Sequence, residues 1–312
     1  MKGFMNDFRR CVSPACIDAL KAEPLFCERL LPDIRHARIG KRAFPAVRDN
    51  RIDFYYSGGK LFSYCKGAGF STHVKYASVL KGVSGHYVTE AKLQTASVVT
   101  DFMEGYEQIK ANCAMYAGVE AAGVADVSRR SSAAACRDQI VALDVEVSFS
   151  GVDSPWGDEA DRECTLCGGD WVNRPDLLLY NTHTRTLRFY EAKHFSNPEL
   201  WAAPGKTPLV AAQLARYNTL LGSAAVRELI VAAYGYYIEN LNALFDLSLP
   251  TPKDVEDSAV LYVFGYDSRQ ASRISDLLLA DQSLKGLRLR KRGNTSDAGS
   301  TAATLWQRIQ VC

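Results

Sequence analysis

Three charged residues in one short stretch could do hydrolytic chemistry. In RPDLLLYNTHTRTLRFYEAKHF, residues 174–195, Asp176 opens one apolar run, and Glu191 and Lys193 close the next. In a strand, positions i and i+2 point to one face, so Glu191 and Lys193 project together, with the Ala192 carbonyl between them at the edge. A connection of even length centred between His183 and Thr184 places Asp176 opposite Glu191, their β-carbons about 4.5–5.5 Å apart. An odd-length connection turns Asp176 away and leaves three unrelated charges. Two facing carboxylates repel unless something neutralises them, and a divalent cation does so. Oxygen ligands of this kind, from Asp176, Glu191 and the Ala192 carbonyl, suit Mg²⁺ or Mn²⁺, which polarises a phosphoryl group and lowers the pKa of a bound water. An adjacent lysine either orients the attacking water or offsets charge building on phosphorus. The chemistry implied is metal-assisted phosphodiester hydrolysis.

The elements around these residues read as an α/β protein. Residues 1–88 form an N-terminal extension: Pro14, Pro24, Pro32 and Pro45 limit the early helices to short pieces. A hairpin of β-rich runs, Ile52 to Tyr56 and Leu61 to Cys65, follows around Ser57-Gly58-Gly59-Lys60. Residues 89–118 predict a helix capped by Thr89 and stopped at Gly118, whose Val98, Val99, Phe102, Tyr106 and Ile109 make one buried face. After a Ser/Ala/Arg-rich connection, QIVALDVEVSFSG predicts a strand and the opening stretch two more. TPLVAAQLARYNTLLG predicts a helix capped by Thr207, and VRELIVAAYGYYIENLNALFDL a further one. SAVLYVFGY is a buried strand, and an amphipathic helix precedes the basic strand KGLRLRKRG. The predicted order is helix, three strands, helix, strand within residues 89–293, with 294–312 a flexible C-terminal tail.

Pro175-Asp176 followed by Glu191-Ala192-Lys193 resembles the motif of the PD-(D/E)XK nuclease superfamily, over about residues 89 to 266. The resemblance implies a restriction-endonuclease-like core with a mixed central sheet, Asp176 and Glu191 as metal ligands and Lys193 as the catalytic lysine. Gln213 and Tyr217 have the QxxxY spacing of the RecB-type exonuclease branch, and residues four apart share a helical face. The cysteines of that branch's iron-sulfur cluster have no counterpart, since only Cys312 lies beyond this helix. Members often add an acid from the first core helix. Glu107 is the first choice here and Glu104 the second, with Glu146 on the following strand a weaker candidate. A solvated pair is the plain alternative for the two helical acids.

The expected activity is an Mg²⁺-dependent phosphodiesterase, a deoxyribonuclease with endonuclease as the first choice, in restriction or anti-phage defence. The alternative is a non-catalytic nucleic-acid-binding or scaffold protein on a nuclease-like core. The expected partner is double-stranded DNA, with Arg288, Arg290, Lys291 and Arg292 on the basic strand able to contact phosphates; a solvated strand face is the competing reading. A partner protein or homo-oligomer would control such a nuclease. Zn²⁺ at Cys164 and Cys167 is not expected, because a second pair at compatible spacing is missing. His194 points to the face opposite Lys193 and reads as a core or loop histidine. No apolar run is long enough to span a membrane, so no membrane partner is expected and the cytoplasm is the default location. The nine cysteines are an odd, irregularly spaced set that argues against a disulfide scaffold in a chain this large. No Walker, GxSxG, HExxH or dinucleotide signature supports a rival chemistry.

Overall fold

The structure is a computed structural model of the 312-residue chain and describes residues 8–36, 41–77, 87–90, 99–149, 174–202, 206–278, 281–293, 301–307 and 309–311. Cys164, Cys167, Val98 and the 294–300 linker lie outside the described residues. The chain divides into two compact units: Met1–Ala121 with Ser148–Val172 and Ala233–Thr251, and Ala122–Val147 with Asn173–Ala232 and Pro252–Cys312. Among the described residues, no helix is long and apolar enough to cross a membrane.

The first unit begins with α1 (Pro14–Lys21), capped by the Ser13 side chain, and α2 (Leu31–Arg35). An antiparallel sheet follows, formed by β1 (Phe44–Arg48), β2 (Arg51–Tyr56), β3 (Gly59–Cys65), β4 (Gly69–His73) and, after α3 (Val74–Ala77), β5 (Tyr87–Thr89). The β2–β3 turn is tighter than the four residues expected. Ser57 (φ 52°) and Gly58 (φ 93°) alone close it, the left-handed pair that matches strand twist. A β-carbon at Gly58 would lie 2.5 Å from that of Ala121, so glycine is also required by space.

One face of this sheet carries a buried charge cluster. Asp53 lies 3.2 Å from Arg51 Nε, 3.8 Å from Arg48 Nε and 4.0 Å from Lys60 Nζ, and accepts from the Ser63 hydroxyl at 2.6 Å. Burial raises the carboxyl, but Lys60, Arg51, Arg48 and the Ser63 hydroxyl outweigh it and hold the group at about 2. Its stabilisation is therefore present above the ordinary value near 3.8 and is lost as pH falls through about 2. Asp53→Asn removes the carboxylate these buried cations share, and the expected loss is about 3–5 kcal/mol in a urea melt at neutral pH. The acid-unfolding component between those two pH values should vanish with it.

The helix expected at 89–118 is shorter and belongs to this unit. Thr89 ends β5, and α4 spans Tyr106–Met115 behind Gly105. Of the predicted apolar face, Val99, Phe102, Tyr106 and Ile109 are buried, but against the first sheet: Phe62 meets the rings of Phe102 at 5.2 Å and Tyr106 at 6.1 Å. Periodicity identified the face and not the sheet it would meet.

The second unit starts within α5 (Val119–Arg130), at Ala122, where a Ser/Ala/Arg-rich connection was expected. It continues through β6 (Ile140–Val145), β7 (Leu177–Asn181), β8 (Thr186–His194), α6 (Leu209–Gly222), the start of α7 (Ala224–Phe245, which passes into the first unit at Ala233), β9 (Asp254–Val255), β10 (Val260–Phe264), α8 (Ser268–Arg273) and β11 (Arg288–Arg292), and ends with α9 (Ala302–Trp306) and β12 (Gln310–Val311). The sheet order is β12-β11-β10-β8-β7-β6, with β9 against the start of β8. Strands β6, β7 and β8 are antiparallel neighbours, β10 is parallel to β8, and β11 is parallel to β10. The sheet is therefore mixed, and a helix separates β8 from its parallel neighbour.

Helices cover both faces of this sheet. Gly123 of α5 approaches Phe264 so closely that an added β-carbon would sit 2.2 Å from its ring, while α6 reaches the opposite face at Glu191. The α6 cap is Pro208 and no side chain caps the helix, so the expected Thr207 cap is absent. The tail expected to be flexible is docked from Thr301 on: Ala302 N–H donates to Ser131 Oγ at 2.8 Å, and the Arg188 guanidinium stacks 3.7 Å from the Trp306 ring. β12 then pairs with β11. A capping box at Thr301 starts this last helix, and its buried Ala302 and Leu305 give it a reason to dock.

Candidate active site

The β7–β8 connection has four residues, 182–185, and pairs Leu177 with Tyr190 through to Asn181 with Thr186. The Asn181 side chain fixes that length by accepting from the His183 and Thr184 N–H groups, each at 3.0 Å, and Arg185 closes the turn at φ 58°. This is the even-length register that brings Asp176 to Glu191. Asp176 itself leaves the ladder: its N–H donates to the Tyr190 carbonyl at 3.0 Å, and its Oδ2 accepts from Ala192 N–H at 2.7 Å.

Glu191, Ala192 and Lys193 are all buried in β8. Glu191 Oε1 lies 2.9 Å from Lys193 Nζ, and its Oε2 accepts from the Tyr217 hydroxyl at 3.0 Å. Lys193 Nζ is also 2.7 Å from Glu199 Oε2. In a strand, the N–H and C=O of one residue point to the same edge. The Ala192 carbonyl is therefore directed with its N–H to the edge that Asp176 occupies.

The electrostatics follow from burial and crowding. The Asp176 carboxyl is raised well above its ordinary value, first by burial and then by the negative charges of Glu191 and Glu146, with the Ala192 N–H and Lys193 opposing. Burial lowers Lys193, but Glu191, Glu199 and Asp176 overcome it and hold the ammonium charged well above the usual range. The Tyr217 phenol is pushed far up by burial and by Glu191 and Asp176, so it stays a donor. Tyr217→Phe deletes one hydrogen bond to a buried carboxylate and should destabilise the metal-free protein by about 1.5–3 kcal/mol in a urea melt.

Gln213 lies one turn before Tyr217 on α6, and its Oε1 is buried and accepts no hydrogen bond. Glu104 and Glu107 are exposed residues of the first unit, Glu107 on α4 and Glu104 in the turn before it. The acid whose charge reaches Asp176 is Glu146, which follows β6 at φ 52° and pairs with Arg174 at 2.8 Å. The Val-Glu-Val alternation around Glu146 pointed to it only weakly. Glu199 was missed altogether; its only signal was Asn197-Pro198, the start of a capped turn.

The basic strand divides between faces. Paired residues share a face, so Lys291 lies with Val263, Lys193 and Glu191, whereas Arg288, Arg290 and Arg292 lie with Val260, Tyr262 and Phe264 on the opposite one. Arg288 is tied to Glu256, which also holds Arg188 at 2.5 Å. The three arginines are therefore not on the face of the carboxylates. His194 stands on that opposite face too, its ring 5.5 Å from Phe264.

Among the described residues, no group of three or more His, Cys, Asp and Glu side chains is placed to hold a metal. Two carboxylates and a carbonyl still fit a hard cation of the Mg²⁺ type, which keeps several waters and takes one or two protein carboxylates. The raised Asp176 carboxyl is what such a site would relieve. No protein-family model, curated protein or solved structure matches the chain.

Proposed function

We propose that this chain is a metal-dependent nuclease of the PD-(D/E)XK type that hydrolyses phosphodiester bonds, in DNA first. One observation carries the reading: Asp176, bonded to the Ala192 N–H, and Glu191, held by Lys193 and Tyr217, converge at one strand edge. The order α5, three antiparallel strands, α6 and a strand parallel to the third supports a restriction-endonuclease-like core. Asp176, Glu191 and the Ala192 carbonyl would hold Mg²⁺ or Mn²⁺, with Glu146 a further acid whose charge acts on Asp176. When bound, the cation supplies Lewis acidity at a phosphoryl oxygen. Lys193 keeps its proton on Nζ and presents a fixed positive charge to the phosphate as negative charge builds. Tyr217 orients Glu191, and Gln213 offers an acceptor on the same helical face. Such an activity needs a partner, a guide or a specific target to spare resident DNA, which suits restriction or anti-phage defence. Purified protein should cut plasmid or linear DNA with Mg²⁺ or Mn²⁺ and stop with EDTA. Absence of cleavage of every DNA and RNA form, with no metal binding that depends on Asp176, would favour a non-catalytic binding or scaffold role.

A further inference from the structure

We infer that Glu199 is a positioning residue for Lys193, an inference that rests on the nuclease reading. After β8 the chain folds back through a short turn, Pro198–Leu200, whose start is capped by Asn197 Oδ1 accepting from the Glu199 N–H at 2.8 Å. Trp201 locks the turn: its Nε1 donates to the Phe195 carbonyl at 2.9 Å, its ring meets Phe195 at 5.0 Å, and the Arg273 guanidinium covers it at 4.6 Å. Leu200 is buried beneath. This anchoring fixes the backbone of Glu199, so that its carboxylate reaches the Lys193 ammonium at 2.7 Å.

Lys193 thus has two carboxylate partners, and they are not equivalent. Glu191 is the one a cation would use, and a cation there would both compete for its oxygens and repel the ammonium. A lysine stem with four rotatable bonds would then swing away unless a second carboxylate held it. Glu199 is that carboxylate. Its side chain is 24% exposed, against 4% for Glu191, and it reaches Lys193 from the turn after the strand rather than from the strand that would hold the cation. It keeps the charge of Lys193 aimed at the reacting phosphate in the state where Glu191 has turned to the cation.

The test compares wild type, Glu199→Gln and Glu199→Asp in two readouts: cleavage kinetics with Mg²⁺, and acetylation of Lys193 by a water-soluble acylating reagent, read by mass spectrometry with and without Mg²⁺. Thermal melts of each variant check folding. Glu199→Gln should lower kcat about 10²-fold, as a misplaced catalytic group does, at unchanged KM and unchanged half-saturating Mg²⁺. Glu199→Asp should recover part of the rate. In Mg²⁺, Lys193 should acetylate faster in Glu199→Gln than in wild type. If wild type cuts and Glu199→Gln cuts equally well, or if Lys193 is equally protected in both, the role of Glu199 is wrong while the nuclease reading stands. A wild-type chain that cuts nothing overturns both.

Discussion

Lys193→Ala is expected to lower metal-dependent cleavage by about 10²–10³-fold, the usual effect of removing one group that stabilises transition-state charge. The same change should also destabilise the metal-free protein. The ammonium lies between Glu191 and Glu199, and without it the Glu191 carboxylate is left buried, which costs about 3–5 kcal/mol. A lysine held charged above its ordinary value contributes its stability fully below about 10.5, so the whole loss is present at neutral pH. Added Mg²⁺ or Mn²⁺ should restore part of it, because a cation at Glu191 replaces the missing charge. Single-turnover cleavage and urea melts in EDTA and in Mg²⁺ separate these effects. Equal loss of stability in both buffers would argue against a cation at Glu191.

Asp176→Asn should act in the opposite direction on stability while also removing activity. An acid whose folded value is raised opposes folding as pH climbs above its unfolded value, here near 3.8. Asparagine keeps an oxygen for the Ala192 N–H and cannot ionise. At neutral pH in EDTA the variant should therefore melt above wild type, with the gap closing in acid below that value. In Mg²⁺ at a hundredfold excess over Kd, wild type should gain about 2.7 kcal/mol and Asp176→Asn nothing. A metal-free variant less stable than wild type at neutral pH would mean that Asp176 serves the fold rather than a ligand.

What could be read from the chain alone was the part fixed by local rules. The β7–β8 register depends on a four-residue turn held by Asn181, and the Glu191 and Lys193 pair depends on strand alternation; both are short-range. Tyr217 was singled out by the QxxxY resemblance, and it reaches Glu191. The misreadings concern which element meets which. The face of α4 packs on the first sheet, so Glu104 and Glu107 belong to another unit than Asp176, and α5, read as a connection, supplies the helix before β6. Alternation along β11 would have separated Lys291 from the arginines, but which face carries the carboxylates depends on the parallel pairing with β10 and, through it, β8. The docking of α9 likewise rests on Ser131, Arg188 and Trp306, residues far apart in the chain. Strand β1 was hidden by Pro45, which is tolerated at a sheet edge.

The claim that Asp176 and Glu191 hold a divalent cation is tested most directly by anomalous diffraction from a Mn²⁺-soaked crystal. One anomalous peak is expected, bounded by the Asp176 and Glu191 carboxylates and the Ala192 carbonyl, with Lys193 retained on Glu199. Glu191 still bonded to Lys193 and Tyr217, with no peak beside Asp176 at saturating Mn²⁺, would contradict it.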